Sequence, residues 1–546
     1  MRAKNTAQLL PDAPASAVRP RWQALVAAAV AAIAIGLYVP TLWGSFVYDD
    51  EAMMLNSTFI HDARHILDVL SLRILSMNVL DSERFVKLLS LMIDSALWGK
   101  NPAGYHLTNI LLHGASTALL FLLALHLLQS IGRPARSTMA GALVGAVIFA
   151  VHPAASEAVC VVSNRADLLA TFFVLLTLTL ARFFWSGPPA RRLAVAVACV
   201  LSAVLAVASK QNGVVVAPLL LGYWLLMRRY HQGRGRTWPW LALLAACLLL
   251  VGGLGWYVSL VKPPASSIGA VQPKYVGGSL AEAIAYQPRI WAFQLRQVFW
   301  PGDFCADLTF YSLRWVTKPL AYGILAAALA GAVLACRRNR VALLGVILYA
   351  LALAPVSNFV PIFHPLADRY LYMPMVGIGL LLAGVVGKRD IFSPWLPPLG
   401  VLTLAVAVPL AGMTLQRERV WHDSVSLWKA TLSENASSWV AANNLGYALY
   451  DLGRYSDAVK SWKQAVWMFP DSADAWAGLA IGLDALGQSN AADDTYAHAY
   501  DLDVHYRSVE SLRETGQWTA EQLPKLQPII DRHTAKMPAS QPTTDK

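Results

Sequence analysis

The chain gathers its ionisable residues into a few short clusters, and two kinds of cluster together make a chemistry. The first is acidic: Tyr48-Asp49-Asp50-Glu51 follows directly on the first long apolar run. A carboxylate there can take the proton of an attacking hydroxyl. Crowded like charges push such a group toward a basicity useful near neutrality. The same run also reads as a solvated cap on a helix end. The second kind is cationic: Arg165 in Asn164-Arg165-Ala166-Asp167, Lys210 in Ser209-Lys210-Gln211-Asn212-Gly213, and Arg369 in Asp368-Arg369-Tyr370-Leu371-Tyr372. Such cations can hold a departing phosphate, although Arg369 can equally pair with Asp368 or Glu157. One base and three cations point to transfer onto a hydroxyl, with Asp49 and Asp50 as catalytic candidates.

Further polar residues are candidates for substrate binding or for structure. His106, Asn109 and His113 share one helical face by their spacings. They read as interhelical hydrogen bonds, with metal binding as the minor alternative. His152 opens the stretch that runs to Glu157, and His364, Tyr370 and Tyr372 flank Arg369. No Cys/His spacing of a zinc site occurs, so no metal ligand set is assigned. Whether a divalent cation, Mg²⁺ or Mn²⁺, takes part is left open. Cys160 and Cys305 both fall in segments placed outside the cytoplasm, and whether they pair is left open as well.

These residues must be held by elements that cross a bilayer. Apolar residues make up 56% of the 546 and charged ones 14%, too few charges to cover a soluble surface. Apolar segments occur at about 23–43, 106–130, 138–151, 167–185, 193–208, 213–227, 238–260, 318–336, 341–356, 370–387 and 394–414, eleven in all. The basic tail 1–22, with Arg2, Lys4, Arg19 and Arg21, belongs in the cytoplasm. Strict alternation then puts Arg133/Arg136, Arg182/Arg191/Arg192, Arg228/Arg229/Arg234/Arg236, Arg337/Arg338/Arg340 and Lys388/Arg389 inside, and every such loop is basic. The acidic cluster and Arg165, Lys210 and Arg369 all fall outside. Cations placed against the topology signal imply an anionic ligand there. The long loop at about 44–105 has amphipathic stretches expected to lie on the membrane surface. The net charge of +11 is accounted for by these loops, with no basic stripe for nucleic acid.

The membrane domain spans 23–415, and beyond it the chain is polar and repetitive. Trp428, Trp462 and Tyr496 recur every 34 residues, as do Leu445 and Leu479, and Ala458 and Ala492. That period, with small residues where paired helices touch, is the tetratricopeptide pattern. Units are expected at 439–472 and 473–506, with a degenerate half-unit from about 423. A helical cap and disordered tail follow over 507–546. The fold class is therefore all-α: a polytopic helical bundle followed by a soluble α-solenoid.

The ordered set of motifs resembles the bacterial relatives of the transmembrane-and-tetratricopeptide O-mannosyltransferases. These lie in the GT-C superfamily of polyprenyl-phosphate-sugar-dependent glycosyltransferases. The matching stretches are Phe46-Val47-Tyr48-Asp49-Asp50, Leu97-Trp98-Gly99-Lys100-Asn101-Pro102 through His113, and His152-Pro153 to Ala170. Ser209-Lys210 and Ala367-Asp368-Arg369-Tyr370-Leu371-Tyr372-Met373-Pro374 complete the set. The resemblance covers about 25–506. It implies Asp49 as base, with Asp50 as the neighbouring candidate, and Arg369, Lys210 and Arg165 near a lipid-linked phosphate. Two stretches depart from the pattern: Ser209-Lys210-Gln211 where relatives often carry Ser-Lys-Glu, and Ser82-Glu83-Arg84-Phe85 where an Arg-Pro pair is common.

The implied reaction moves a sugar from a polyprenyl phosphate to a protein Ser or Thr, with inversion. It would take place on the outer face of a bacterial cytoplasmic membrane, with the repeats in the periplasm binding an acceptor protein or peptide. The alternative is a non-catalytic scaffold that recruits envelope or pilus assembly partners through its repeats. A simple anchor, however, needs only one span.

Overall fold

The computed structural model describes residues 18–536, apart from 56, 78, 80, 186–187, 229–237, 262–274, 303, 309–312, 314–315, 338, 363, 388–395, 516–517 and 519–521. Of the basic residues expected on the cytoplasmic side, Arg2, Lys4, Arg229, Arg234, Arg236, Arg338, Lys388 and Arg389 lie outside the described residues, as does the tail beyond Lys536.

Among the described residues every regular element is a helix. In the membrane part these are α1 (Pro20–Tyr38), α2 (Ile66–Leu70), α3 (Phe85–Trp98), α4 (Pro102–Ser130), α5 (Ala135–Val151), α6 (Ser156–Cys160), α7 (Arg165–Ala181) and α8 (Pro189–Ser209). They continue with α9 (Val216–Met227), α10 (Trp238–Val261), α11 (Leu280–Phe299), α12 (Lys318–Cys336), α13 (Arg340–Leu353), α14 (Tyr372–Gly387) and α15 (Leu396–Val420). Helix starts follow local chemistry. Asn101 caps α4 by accepting from the Ala103 amide at 3.1 Å, with Pro102 in the first helical position.

Every apolar segment read from the sequence is helical, but length divides them. Eight described helices are long and apolar enough to cross a membrane, or up to nine if Ala135–Val151 and Pro153–Cys160, bent by 54°, form one span. Gln211–Met227 and Arg340–Val356 are apolar but shorter, which separates this count from eleven. In the bundle core a Cβ on Gly145 would meet the Gly379 carbonyl at 2.2 Å, and one on Gly377 the Gly345 carbonyl at 2.5 Å. Small residues let α5, α13 and α14 approach at backbone distance.

The first long loop differs from expectation. Its short helices do not simply lie on a surface. Phe46, Met54, Phe59, Ile60, Ile74, Leu88, Leu91 and Tyr105 bury one another in an apolar core of their own.

After α15 come α16 (Ser424–Glu434), α17 (Trp439–Asp451), α18 (Tyr455–Met468), α19 (Ala473–Ala485), α20 (Ser489–Leu502), α21 (Val509–Thr515) and α22 (Leu523–Lys536). Ser438 and Ser472, 34 residues apart, cap α17 and α19 through the amides of Ala441 and Ala475. Gly453 and Gly487 follow those helices at φ +73° and +74°, where a Cβ is strained. Trp462 is buried in a slot that a Cβ on Gly446 or Gly478 would fill, at 2.6 and 2.4 Å. The 34-residue recurrence is thus a recurrence of caps and turns around an aromatic wedge.

Candidate active site

Breaks in the apolar helices place polar side chains at one end of the bundle. Pro153 ends α5 because it lacks an amide donor, and the chain turns through α6 before α7 begins. Lys210 lies in extended backbone after α8, and Asp368–Leu371 forms a 3-10 turn before α14. Asp49 follows α1 after a 3-10 turn at Val39–Trp43.

Ion pairs join these breaks. A guanidinium amine of Arg369 contacts Glu157 Oε1, and the Arg369 backbone amide donates to Glu157 Oε2 at 2.7 Å. Lys210 Nζ donates to both oxygens of Asp167, at 2.7 and 2.6 Å. The ring of Tyr370 lies beneath both cations, 5.5 Å from Lys210 Nζ and 5.4 Å from the Arg369 guanidinium carbon. A third group comes from the first loop. Asp81 receives Arg84 at 3.0 Å and is also bound by the buried Lys87. Gln211 reaches Glu83 at 3.4 Å, so this loop is tied to the Lys210 turn.

Asp49 stands apart from this pairing. Its side chain is exposed, and no hydrogen bond or ion pair holds it among the described residues. Protein nevertheless encloses it on most sides. Burial pushes its carboxyl up, while Arg369, His364 and Lys87 pull it back down. A solvent-reached carboxylate in a concavity lined by cations is what proton abstraction beside an anion requires. Lys210 is held down to about 8, burial being the largest cause and Asp167 opposing it. The preceding residue, Tyr48, has φ +60°, a left-handed conformation that costs a non-glycine residue about 1–2 kcal/mol.

Asp50 is different. It is fully buried, and its two oxygens accept from the amides of Val162 at 2.9 Å and Ser163 at 2.6 Å. Burial pushes it up to about 7 against these bonds. The adjacent acids therefore split: Asp50 pins the loop, and Asp49 is presented to solvent.

Arg165, expected near the phosphate, does not join the cluster. It is fully buried and points the other way. Its donors reach Asn109 Oδ1 at 2.8 Å, Ser90 Oγ at 3.2 Å, the Tyr105 carbonyl at 2.8 Å and Asp94 at 2.6 Å. Such a cation is structural, and removing it strands a buried carboxylate. Arg165→Met should therefore cost about 3–5 kcal/mol, read as a lowered Tm with unaltered donor binding in the folded fraction. Wild-type stability with weakened donor binding would return Arg165 to the site.

The remaining candidates divide likewise. Asn109 donates to the carbonyls of Val159 and Val161 at 3.1 and 3.2 Å. His113 bonds the Tyr372 hydroxyl at 3.0 Å and the Ala150 carbonyl at 3.2 Å. His152 bonds the Val298 carbonyl at 3.0 Å. All four, Tyr372 included, lock helices together. His106 is buried under Gly44, 3.8 Å from where a Cβ there would sit. Only His364 and Tyr370 lie at the cationic concavity, the Tyr370 hydroxyl donating to the His364 carbonyl at 2.9 Å. Cys160 and Cys305 are free thiols, both buried.

No protein-family profile matches the chain. Curated proteins do. It is 24% identical over 447 residues to Protein O-mannosyl-transferase F38B6.6 of Caenorhabditis elegans, covering 79% of this chain and 61% of that one. It is 25% identical to the TMTC4 O-mannosyl-transferase of Mus musculus, covering 82% and 66%, and 25% identical to mouse TMTC3, covering 87% and 54%. The chain is a relative of the TMTC O-mannosyltransferases. It spans between 54% and 66% of the length of these three relatives. Among solved structures, ArnT from Cupriavidus metallidurans bound to undecaprenyl phosphate aligns over 94% of this chain and 85% of its own. At 16% identity and a TM-score of 0.36, that distant likeness transfers no residue roles.

Proposed function

We propose that this TMTC relative is a GT-C-type glycosyltransferase that moves a sugar from a polyprenyl-phosphate donor to a hydroxyl of a protein acceptor. The observation that carries the reading is Asp49: an exposed carboxylate without a hydrogen-bond or ion-pair partner among the described residues, beside Arg369, in a chain whose relatives are named O-mannosyltransferases. Asp49 takes the proton of a Ser or Thr hydroxyl as its oxygen attacks the anomeric carbon. The bond from that carbon to the phosphate oxygen breaks, and its electron pair leaves on the polyprenyl phosphate. Arg369, with Lys210 behind it, meets the developing charge. A single displacement inverts the anomeric centre. The proton then passes from Asp49 to water.

A divalent cation fits this site poorly. Asp50 is already filled by amides, and Glu157 and Asp167 hold cations, which leaves Asp49 as the one unclaimed carboxylate of these four. Using it as a ligand would occupy the base, so the proposed reaction uses no metal.

The 34-residue helical units are read as tetratricopeptide repeats that present the acceptor. The site is read as facing away from the cytoplasm of a bacterial inner membrane. A periplasm-only reporter fused after Lys546 should be active; activity of a cytoplasm-only reporter instead would reverse the orientation. The reaction itself is tested with purified protein, polyprenyl-phosphate mannose and a Ser/Thr peptide. The product should carry the opposite anomeric configuration to the donor, and retention would overturn the single displacement.

A further inference from the structure

The helices after α15 are not merely tethered near the site. The first of them, α16, and the residues leading into it touch the loop that carries Asp49. Tyr48, held at φ +60°, is flanked by two buried tryptophans. Its ring meets Trp421 edge-on at 6.5 Å and leans on Trp428 of α16 at 5.7 Å. On the other side of Asp49, Glu51 Oε1 accepts from Ser424 Oγ, at the start of α16, at 2.5 Å. The Ser45 amide donates to the His422 carbonyl at 2.9 Å. The segment 45–51 is thus fastened before and after Asp49 to residues 421–428.

The end of α15, which leads into these helices, reaches the cation side. Arg417 lies 3.5 Å from Asp368, next to Arg369, and donates to the Phe304 carbonyl at 2.6 Å. Its guanidinium also lies 5.6 Å from the Trp421 ring. Farther along, Asp307 accepts from Ser438 Oγ at 2.5 Å, and its carbonyl accepts from Asn435 at 3.1 Å. The stretch 417–438 therefore touches the base loop, Asp368 beside Arg369, and Asp307. A left-handed tyrosine persists only where its surroundings over-determine it, and the two tryptophans together with Ser424 supply that constraint.

We propose that Trp428, with Trp421 and Ser424, positions the base: the first helix of the C-terminal array sets where the Asp49 carboxylate points. The array is then a part of the active centre as well as a docking module for the acceptor. Because it contacts the base loop directly, a displacement of α16 is carried to Asp49 through Tyr48 and Glu51. This inference rests on the proposed glycosyl transfer.

The test uses full-length protein in vesicles with polyprenyl-phosphate mannose and a Ser/Thr peptide, counting activity per folded molecule. Trp428→Ala should lower kcat by about 10- to 100-fold, the scale of a misplaced reacting group, with donor Kd within about twofold of wild type. Trp428→Phe, which restores an aromatic wall for Tyr48, should recover most of the rate. If Trp428→Ala does not fold, Ser424→Ala decides, with a several-fold lower kcat and unaltered donor Kd expected. An unaltered kcat per folded molecule, or a loss that follows donor binding alone, overturns the inference. No transfer by the wild-type protein would instead overturn the proposed reaction, and the positioning role would fall with it.

Discussion

Asp49→Asn is expected to lower sugar transfer by about 10²–10⁴-fold, the usual weight of a general base, while the protein still folds and binds donor. The substitution keeps the shape and removes the basic lone pair. It should cost the fold little, since no hydrogen bond or ion pair anchors Asp49 among the described residues and its side chain is open to solvent. Burial raises its carboxyl above the ordinary value, so the acidic limb of the rate profile should lie at higher pH than for a free aspartate. A raised pKa means the base is protonated, and idle, up to a higher pH. That limb should vanish in Asp49→Asn. The neighbouring change is a useful contrast. In Asp50→Asn one of the two amide donors, from Val162 or Ser163, would face an amide NH₂ in place of an oxygen. Its loss of activity should follow its loss of Tm, whereas that of Asp49→Asn should not. Near-normal transfer by Asp49→Asn would sink the assignment.

Arg369→Lys should weaken donor binding by roughly 10- to 100-fold, the worth of one charge-assisted hydrogen bond at about 1.5–3 kcal/mol. The guanidinium spends one amine on Glu157 and lies beside Tyr48 and over Tyr370. Its planar fork can hold Glu157 and a phosphate oxygen together, and a lysine's point charge cannot reproduce that. Direct titration with a polyprenyl phosphate, rather than turnover, is the deciding measurement. Unaltered affinity would reduce Arg369 to a partner for Glu157 alone.

Some of this was legible in the residues. The apolar runs, the proline that breaks the chain after His152, and the 34-residue recurrence each have a local physical cause, and the helices form where that chemistry puts them. Which of several cations reaches the concavity is not local. Arg165 and Arg369 each lie at the start of a helical element after a break, and the sequence treats them alike. Tertiary packing separates them, because Asp94 on α3 draws Arg165 into the protein. An aspartate in the otherwise apolar stretch Leu91-Met92-Ile93-Asp94 was the available signal that a buried cation was needed. Lys87 carried the same kind of signal, since it shares a helical face with Leu91. Reading the 44–105 loop as a surface-lying segment hid both Lys87 and the Asp81–Arg84 pair. From sequence Glu157 is a possible partner of Arg369, and the Tyr48–Trp428 contact bridges residues too far apart in sequence for any spacing to show it.

The central question is whether the Asp49 carboxylate drives transfer from a lipid phosphate. Purified wild-type and Asp49→Asn proteins in vesicles, given polyprenyl-phosphate mannose and a Ser/Thr peptide, should be followed for polyprenyl phosphate release and glycopeptide formation together. The account predicts equal release and glycosylation by the wild type, and neither above background by Asp49→Asn at the same donor occupancy. Equal rates from the two proteins, or no donor consumption by the wild type, would contradict it.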